Sequence, residues 1–203
     1  MRALLILEEL ALPTLTPHGL DAAPTQVLYS TQRSYLESLR FDRIGMEGKQ
    51  HVVAIAAIHD EFVGSPWQNW VHTAAALAQK GLITPHELQQ IARIFAFGHY
   101  IGNTDMHSGN FSFYVDDVLA PKIRLAPVYD MLPMMWRPDI HSGNLDPSPL
   151  REPWLPAGYA AEAELARNWA IDYWQQASVD AELSAELRTL CAENSRRLLH
   201  GFG

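Results

Sequence analysis

Asp105, Asn110 and Asp130 are the residues whose types and spacing suggest chemistry. Asp105 and Asn110 lie five apart in GNTDMHSGN, and Asp130 closes KIRLAPVYD. A carboxylate can position or deprotonate a hydroxyl. An amide oxygen and a second carboxylate can hold Mg²⁺ on nucleotide phosphates. Hard oxygen donors of this kind suit Mg²⁺ and serve zinc poorly. The chemistry the trio points to is phosphoryl transfer, provided the chain brings the three together.

The elements around them predict that it does. Thr84-Pro85-His86-Glu87 reads as a capping box with proline at the first helical turn. The helix it starts runs to about Tyr100 and buries Leu88, Ile91, Ala92 and Phe95. The loop GNTDMHSGN follows, then FSFYV (111–115), a turn at Asp116–Asp117 and the run 122–130 as partner strand. That hairpin returns Asp130 to the loop that carries Asp105 and Asn110. Asn103 and Thr104 are expected to brace the loop.

A near-copy, DIHSGN, stands at 139–144. It lies among Pro133, Pro138, Pro147, Pro149, Pro153 and Pro156, a density that excludes regular helix or central strand. Asp139, His141 and Asn144 therefore read as a solvated loop, one that could lie over the substrate cleft. His99, His107 and His141 are not read as a zinc set, because no C-x-x-C or H-E-x-x-H spacing accompanies them.

Elsewhere, residues 1–12 have helical spacing, with Leu4, Leu5, Glu8 and Leu12 on one face, and Pro13 and Pro17 should end that helix. TQVLYS (25–30) and SYLESLRF (34–41) read as two strands, and 42–48 as a loop. HVVAIAAI (51–58) fits a strand or a buried helix equally well. Ser65-Pro66 should cap a helix running to about Lys80, closed by Gly81. Two further amphipathic helices are expected over 160–177 and 180–199. The six tryptophans (67, 70, 136, 154, 169 and 174) read as core and docking residues.

The chain has 203 residues, enough for one domain with a core, and a net charge of −8. The acidic balance argues against direct nucleic-acid binding through phosphate neutralisation. The single cysteine, Cys191, excludes an intrachain disulfide and fits a buried structural thiol in a reducing compartment. Glu8 and Glu9 interrupt the apolar start too early for a signal peptide, and no run reaches membrane-spanning length. A cytoplasmic protein is expected.

The order Asp105, Asn110, hairpin, Tyr129-Asp130-Met131 parallels the protein-kinase order H-R-D-x-x-x-x-N, hairpin, D-F-G. The run FGHYIGNTDMHSGNFSFYVDD…LAPVYDMLPM closely resembles the C-terminal catalytic region of HipA-like serine/threonine kinases, the toxin members of bacterial toxin–antitoxin pairs. YLESLRFDR resembles that family's strand-to-hinge segment, and LEELAL its preceding helix. The resemblance implies Asp105 as catalytic base, Asn110 and Asp130 as Mg²⁺ ligands, and Phe41 with its neighbours around the adenine of ATP. His107 also matches the family's loop and joins Asp105 as a catalytic candidate.

Two positions depart from the family pattern: Leu39 where an acid is usual and Gly109 where a lysine is common. No glycine-rich phosphate loop or strand lysine is visible, so half of the nucleotide clamp is expected to come from elsewhere or to be lost. The family includes systems in which a separate small protein resembles the missing N-terminal part. The expected fold is mainly α (α+β): a helical kinase-like C-lobe with a few hinge strands and a catalytic β-hairpin. It should form a single domain over 1–203, with 1–43 a remnant of the N-lobe and hinge and 44–203 the C-lobe. The implied activity is Mg²⁺-dependent transfer from ATP to a protein hydroxyl, with a target such as an aminoacyl-tRNA synthetase. An antitoxin or a separate N-lobe protein is the implied partner. The alternative is a catalytically incomplete module that docks such a partner. A stand-alone Mg²⁺-dependent phosphohydrolase ranks last for want of a nucleophile motif.

Overall fold

The computed structural model describes residues 2–117, 119, 123–139, 141–144 and 146–202. The chain opens with helix α1 (Arg2–Leu15) and the hairpin β1 (Thr25–Tyr29) and β2 (Ser34–Ser38). Two short strands, β3 (Arg43–Ile44) and β4 (Gly48–Lys49), pair next. Strand β5 (Val52–Ala54) then runs straight into α2 (Ile55–Phe62), followed by α3 (Trp70–Gln79) and α4 (Pro85–Tyr100). The hairpin β6 (Ser112–Val115) and β7 (Ile123–Leu125) comes before the 3-10 turn Met134–Trp136. Helices α5 (Ala160–Val179) and α6 (Ala185–His200) complete the fold. The architecture is mainly helical with small antiparallel sheets, α+β, as expected.

Several boundaries differ from the sequence reading. Helix α1 runs through Pro13 to Leu15. Burial of Leu12, Thr14 and Leu15 holds that last turn, and Thr14 Oγ1 donates to the Leu10 carbonyl at 2.9 Å. The ambiguous run 51–58 is both elements in turn: β5 pairs with β6 (Val53 opposite Phe113), then α2 begins at Ile55. The expected loop 42–48 contains the small β3–β4 hairpin. Helix α3 starts at Trp70 under an Asn69 cap rather than at Ser65. Buried His59 explains that delay. Its Nε2–H donates to the Ser65 carbonyl at 2.7 Å while its Nδ1 accepts from Thr73 Oγ1 at 2.8 Å, which holds the 65–69 backbone out of helical register. At the other end of the chain, Ser184 caps α6, so that helix begins after 180–183.

Strand order β5-β6-β7 places the β6–β7 hairpin beside the N-terminus of α2. The largest fully buried side chains include Leu7, Leu12, Trp70, Phe97, Trp136, Tyr173 and Trp174, so α1, α3, α4 and α5 share one core. Trp174 Nε1 donates to the Tyr100 carbonyl at the end of α4, and Trp136 Nε1 to the Ser148 carbonyl. Trp154 is exposed, as is Trp67 to a lesser degree, so these two are not core residues. Cys191 is buried and its thiol is pushed up to about 12, which removes it as a nucleophile. Among the described residues, no helix is long and apolar enough to cross a membrane.

Candidate active site

The loop bearing Asp105 leaves α4 at Ile101–Gly102. Gly102 adopts φ 73°, and a Cβ there would come within 2.6 Å of the Trp136 ring, so the sharp exit needs glycine. Asn103 follows, 3% exposed. Its Oδ1 accepts the Asp105 amide at 3.0 Å, and its Nδ2 donates to the Asp130 carbonyl at 3.4 Å. One buried side chain thus ties the two acidic segments, the bracing role read for it from sequence. The Asn110 Nδ2 donates to the Asp105 carbonyl at 3.0 Å. That leaves Asn110 Oδ1 with no partner among the described residues.

Other parts of the fold hold the same loop. Trp70 Nε1 donates to the His107 carbonyl at 3.0 Å. The first amides of α2 donate to loop carbonyls, Ile55 to Phe111 at 2.8 Å and Ala56 to Ser108 at 3.1 Å. Helix α2 therefore satisfies two of its unpaired N-terminal donors with carbonyls of this loop and the strand it enters. Tyr129 Oη donates to the Gly109 carbonyl at 2.9 Å and accepts from Ser112 Oγ at 2.7 Å. The Tyr129 ring lies 5.6 Å from Phe41, whose carbonyl accepts from Tyr114 Oη at 3.2 Å. Phe41 is thereby joined through Tyr129 to the residue before Asn110. It lies past the end of β2, outside regular strand.

Asp130 has φ 54°, the only positive φ outside glycine among the described residues. Such a conformation stores roughly 1 kcal/mol or more and clusters at functional sites. Burial raises its carboxyl above the usual range, the Asp105 charge raises it further, and His107 opposes them. Asp105 itself is half exposed, with His107 Nε2 at 3.9 Å from its Oδ1. His107 Nδ1 accepts the Gly109 amide at 2.9 Å, so in the neutral ring the proton sits on Nε2, facing Asp105.

Glu8 was not singled out as a site residue in the sequence. It is 7% exposed on the buried face of α1. Burial pushes its carboxyl up to about 7, and the Asp130 charge adds to the shift. The signal for it was present: an acid at the centre of the apolar stripe Leu4, Glu8, Leu12. The second hexapeptide differs in form. Asp139 Oδ1 accepts the amides of His141 (3.1 Å) and Ser142 (2.8 Å), and His141 and Asn144 are exposed.

The donor set suits Mg²⁺ carried on a nucleotide. Asp130 and Asn110 Oδ1 offer hard oxygens, and Asp105 lies on the other side of the Asn103 tie. Among the described residues no group of three or more His, Cys, Asp or Glu could hold a metal ion. Mg²⁺ bound through one or two protein oxygens plus phosphate and water needs no such cage.

A family model, the HipA-like C-terminal domain, matches residues 1–195. The chain is 33% identical over 205 residues to Toxin YjjJ of Escherichia coli strain K12, covering 96% of this chain and 43% of that protein. It therefore spans less than half the length of that relative. Among solved structures, it is similar to the Helicobacter pylori proinflammatory kinase CtkA, with TM-score 0.65, 12% identity, and 98% of this chain and 80% of that one covered. It is also similar to a chain of the Shewanella oneidensis MR-1 complex of HipA, HipB and operator DNA, with TM-score 0.58, 17% identity, and 97% and 54% covered. At these identities the structures bear on fold alone, and that fold is kinase-like. With the family model running almost end to end, the chain belongs to the HipA-like C-terminal domain family.

Proposed function

We propose that the chain is the catalytic part of a Mg²⁺-dependent serine/threonine protein kinase that acts as a toxin. Asp105 accepts or orients the proton of the acceptor hydroxyl, with His107 Nε2–H facing its carboxylate. Asn110 Oδ1 and Asp130 hold Mg²⁺ on the phosphates of ATP, and Phe41 with Tyr129 borders the adenine. Mg²⁺, when bound, offsets the phosphate charge during transfer. The single observation that carries this reading is the Asn103 tie, which keeps Asp105 and the strained Asp130 on one buried amide. Glu8 adds to it. Kinases pair an acid of this kind with a strand lysine near the phosphates. Burial raises the Glu8 carboxyl to about 7, and a cation brought beside it would lower it again.

In this reading residues 1–43 are the end of an N-lobe and its hinge, and 44–203 are the C-lobe. The acceptor is a protein, and an antitoxin is the regulatory partner, as HipB accompanies HipA in the Shewanella complex. The place of work is the cytoplasm, where ATP and such targets are found. A second reading, a module that docks a separate N-lobe or an antitoxin, is favoured by the β1–β2 hairpin. Its cross-strand pair Leu28 and Tyr35 is 42% and 50% exposed on a sheet of two strands. Such a hairpin is marginal alone and its edges are open to pairing.

Calorimetric titration of ATP into the chain, with and without Mg²⁺, beside Asp130→Asn, separates the two. Mg²⁺-dependent binding lost in the variant supports a site assembled by this chain. A folded chain that binds nothing up to millimolar ATP loses the stand-alone kinase and keeps the docking module.

A further inference from the structure

A cleft of 520 Å³ opens beside Asp105, bordered by Phe95, His99, His107 and the exposed Trp154. None of Phe41, Asn110 or Asp130 lines it. It is thus distinct from the nucleotide residues yet shares the candidate base. Its size is that of ligand clefts in general, roughly 300–1,000 Å³.

Trp154 is the unexpected wall. It is 68% exposed, while Leu155 beside it packs on the core. Large exposed aromatics at a cleft mark recognition more often than packing. The opposite wall is also aromatic, with Phe95 and His99 edge to face at 4.5 Å. Burial lowers the His99 pKa, so the ring is neutral at physiological pH. His107 accepts the Gly109 amide on Nδ1. Asp105 is the one carboxylate among the cleft's lining residues, and the acceptor hydroxyl engages it. No lysine, arginine or second acid lines the cleft to bind an ionic neighbour of that hydroxyl.

We propose that this cleft receives the acceptor segment, and that Trp154 selects a bulky apolar or aromatic side chain adjacent to the serine or threonine. The proposal rests on the kinase reading for the identity of the hydroxyl, but its binding step does not require transfer. The substrate class it defines is an extended protein segment with a hydroxyl residue flanked by Leu, Phe or a similar side chain. Acidic or basic flanks are disfavoured, because the indole and imidazole walls would desolvate them without a partner.

The test labels the protein with 5-fluorotryptophan and assigns the Trp154 ¹⁹F signal with Trp154→Phe. Three synthetic peptides are titrated, each with one serine flanked on both sides by Phe, by Glu or by Lys in an Ala/Gly background. The Phe peptide should shift the Trp154 signal to saturation, and Trp154→Ala should weaken it by about 5-fold or more, the size of a lost aromatic contact. The Glu and Lys peptides should leave the signal in place. Equal shifts by all three peptides, unchanged Phe-peptide binding in Trp154→Ala, or no shift up to millimolar peptide would each overturn the proposal. Binding through Trp154 without phosphate transfer would uphold the cleft and count against the kinase reading alone. Transfer to all three peptides at equal rates would uphold the kinase and overturn the selection by Trp154.

Discussion

At residues 105–110 the backbone of DMHSGN is held, beside its local bonds, by distant parts of the chain: Asp130 through the Asn103 bridge, the Trp70 indole, and the first amides of α2. At 139–144 the nearly identical DIHSGN is held by its own aspartate. Asp139 Oδ1 takes two local amides and the Ser142 hydroxyl, and the Asp139 amide closes the turn on the Asn144 carbonyl. Ile140 lies outside the described residues. The difference teaches what leaves an aspartate available. Where the fold supplies the hydrogen bonds, the Asp105 carboxylate is not tied up in its own turn. Where it does not, the same residue type spends its oxygen on a turn.

The comparison should break most sharply at Asn103. Asn103→Ala leaves the buried Asp105 amide and Asp130 carbonyl without their partner, a loss of about 3 kcal/mol. Asp139→Ala should lose only about 0.5 kcal/mol, since its turn faces solvent. Urea denaturation of both variants checks this. Equal losses would mean that the first loop is no more tied to the fold than the second.

Glu8 sharpens the contrast through pH. Its folded pKa, about 7, lies above the ordinary glutamate value of 4.5. The unfolded chain therefore ionises first as pH rises, and stability falls between about pH 4.5 and 7 and stays low above it. Glu8→Gln should be neutral at pH 4 and more stable than the parent at pH 8, by at most about 3 kcal/mol. Denaturation midpoints at the two pH values measure it, and a flat difference would refute the assignment.

Asp130→Gly relieves the positive φ and should raise stability by about 1 kcal/mol, seen as a Tm higher by about 3 °C. Mg²⁺-dependent ATP binding should vanish in the same variant, the mark of a residue strained for function. A small effect on stability is expected at Gly109. A Cβ there would come within 2.7 Å of His107 Cε1, while at Gly143 in the second copy nothing lies within 4 Å. Gly109→Ala should shift the His107 ring nitrogens in ¹⁵N NMR with stability changed by under about 1 kcal/mol. Gly143 instead has φ 70°, so Gly143→Ala should act through strain alone, at about 1 kcal/mol, with no histidine shift.

Much of this was legible in the chain. The Thr84–Glu87 capping box, the Gly81 stop and the β6–β7 pairing rest on local rules of few residues and stand where those rules put them, although β7 covers only Ile123–Leu125 of the run 122–130. The convergence of Asp105, Asn110 and Asp130 was legible too, because a hairpin of fixed length leaves its far end little freedom. The late start of α3 was not. Ser65-Pro66 is a good local cap, and it was overruled by His59, a residue six positions earlier whose hydrogen bonds exist only once the core has closed.

Local chemistry written in short stretches, then, determined the helices, the hairpins and the identity of the candidate acids. Tertiary structure alone decided how differently the two DxHSGN backbones are held, that Glu8 is buried within reach of the Asp130 charge, and that Trp154 stands beside Asp105. Each of these depends on burial or on a hydrogen bond between distant segments. Desolvation and distant partners are properties of the packed fold, so no window of sequence contains them.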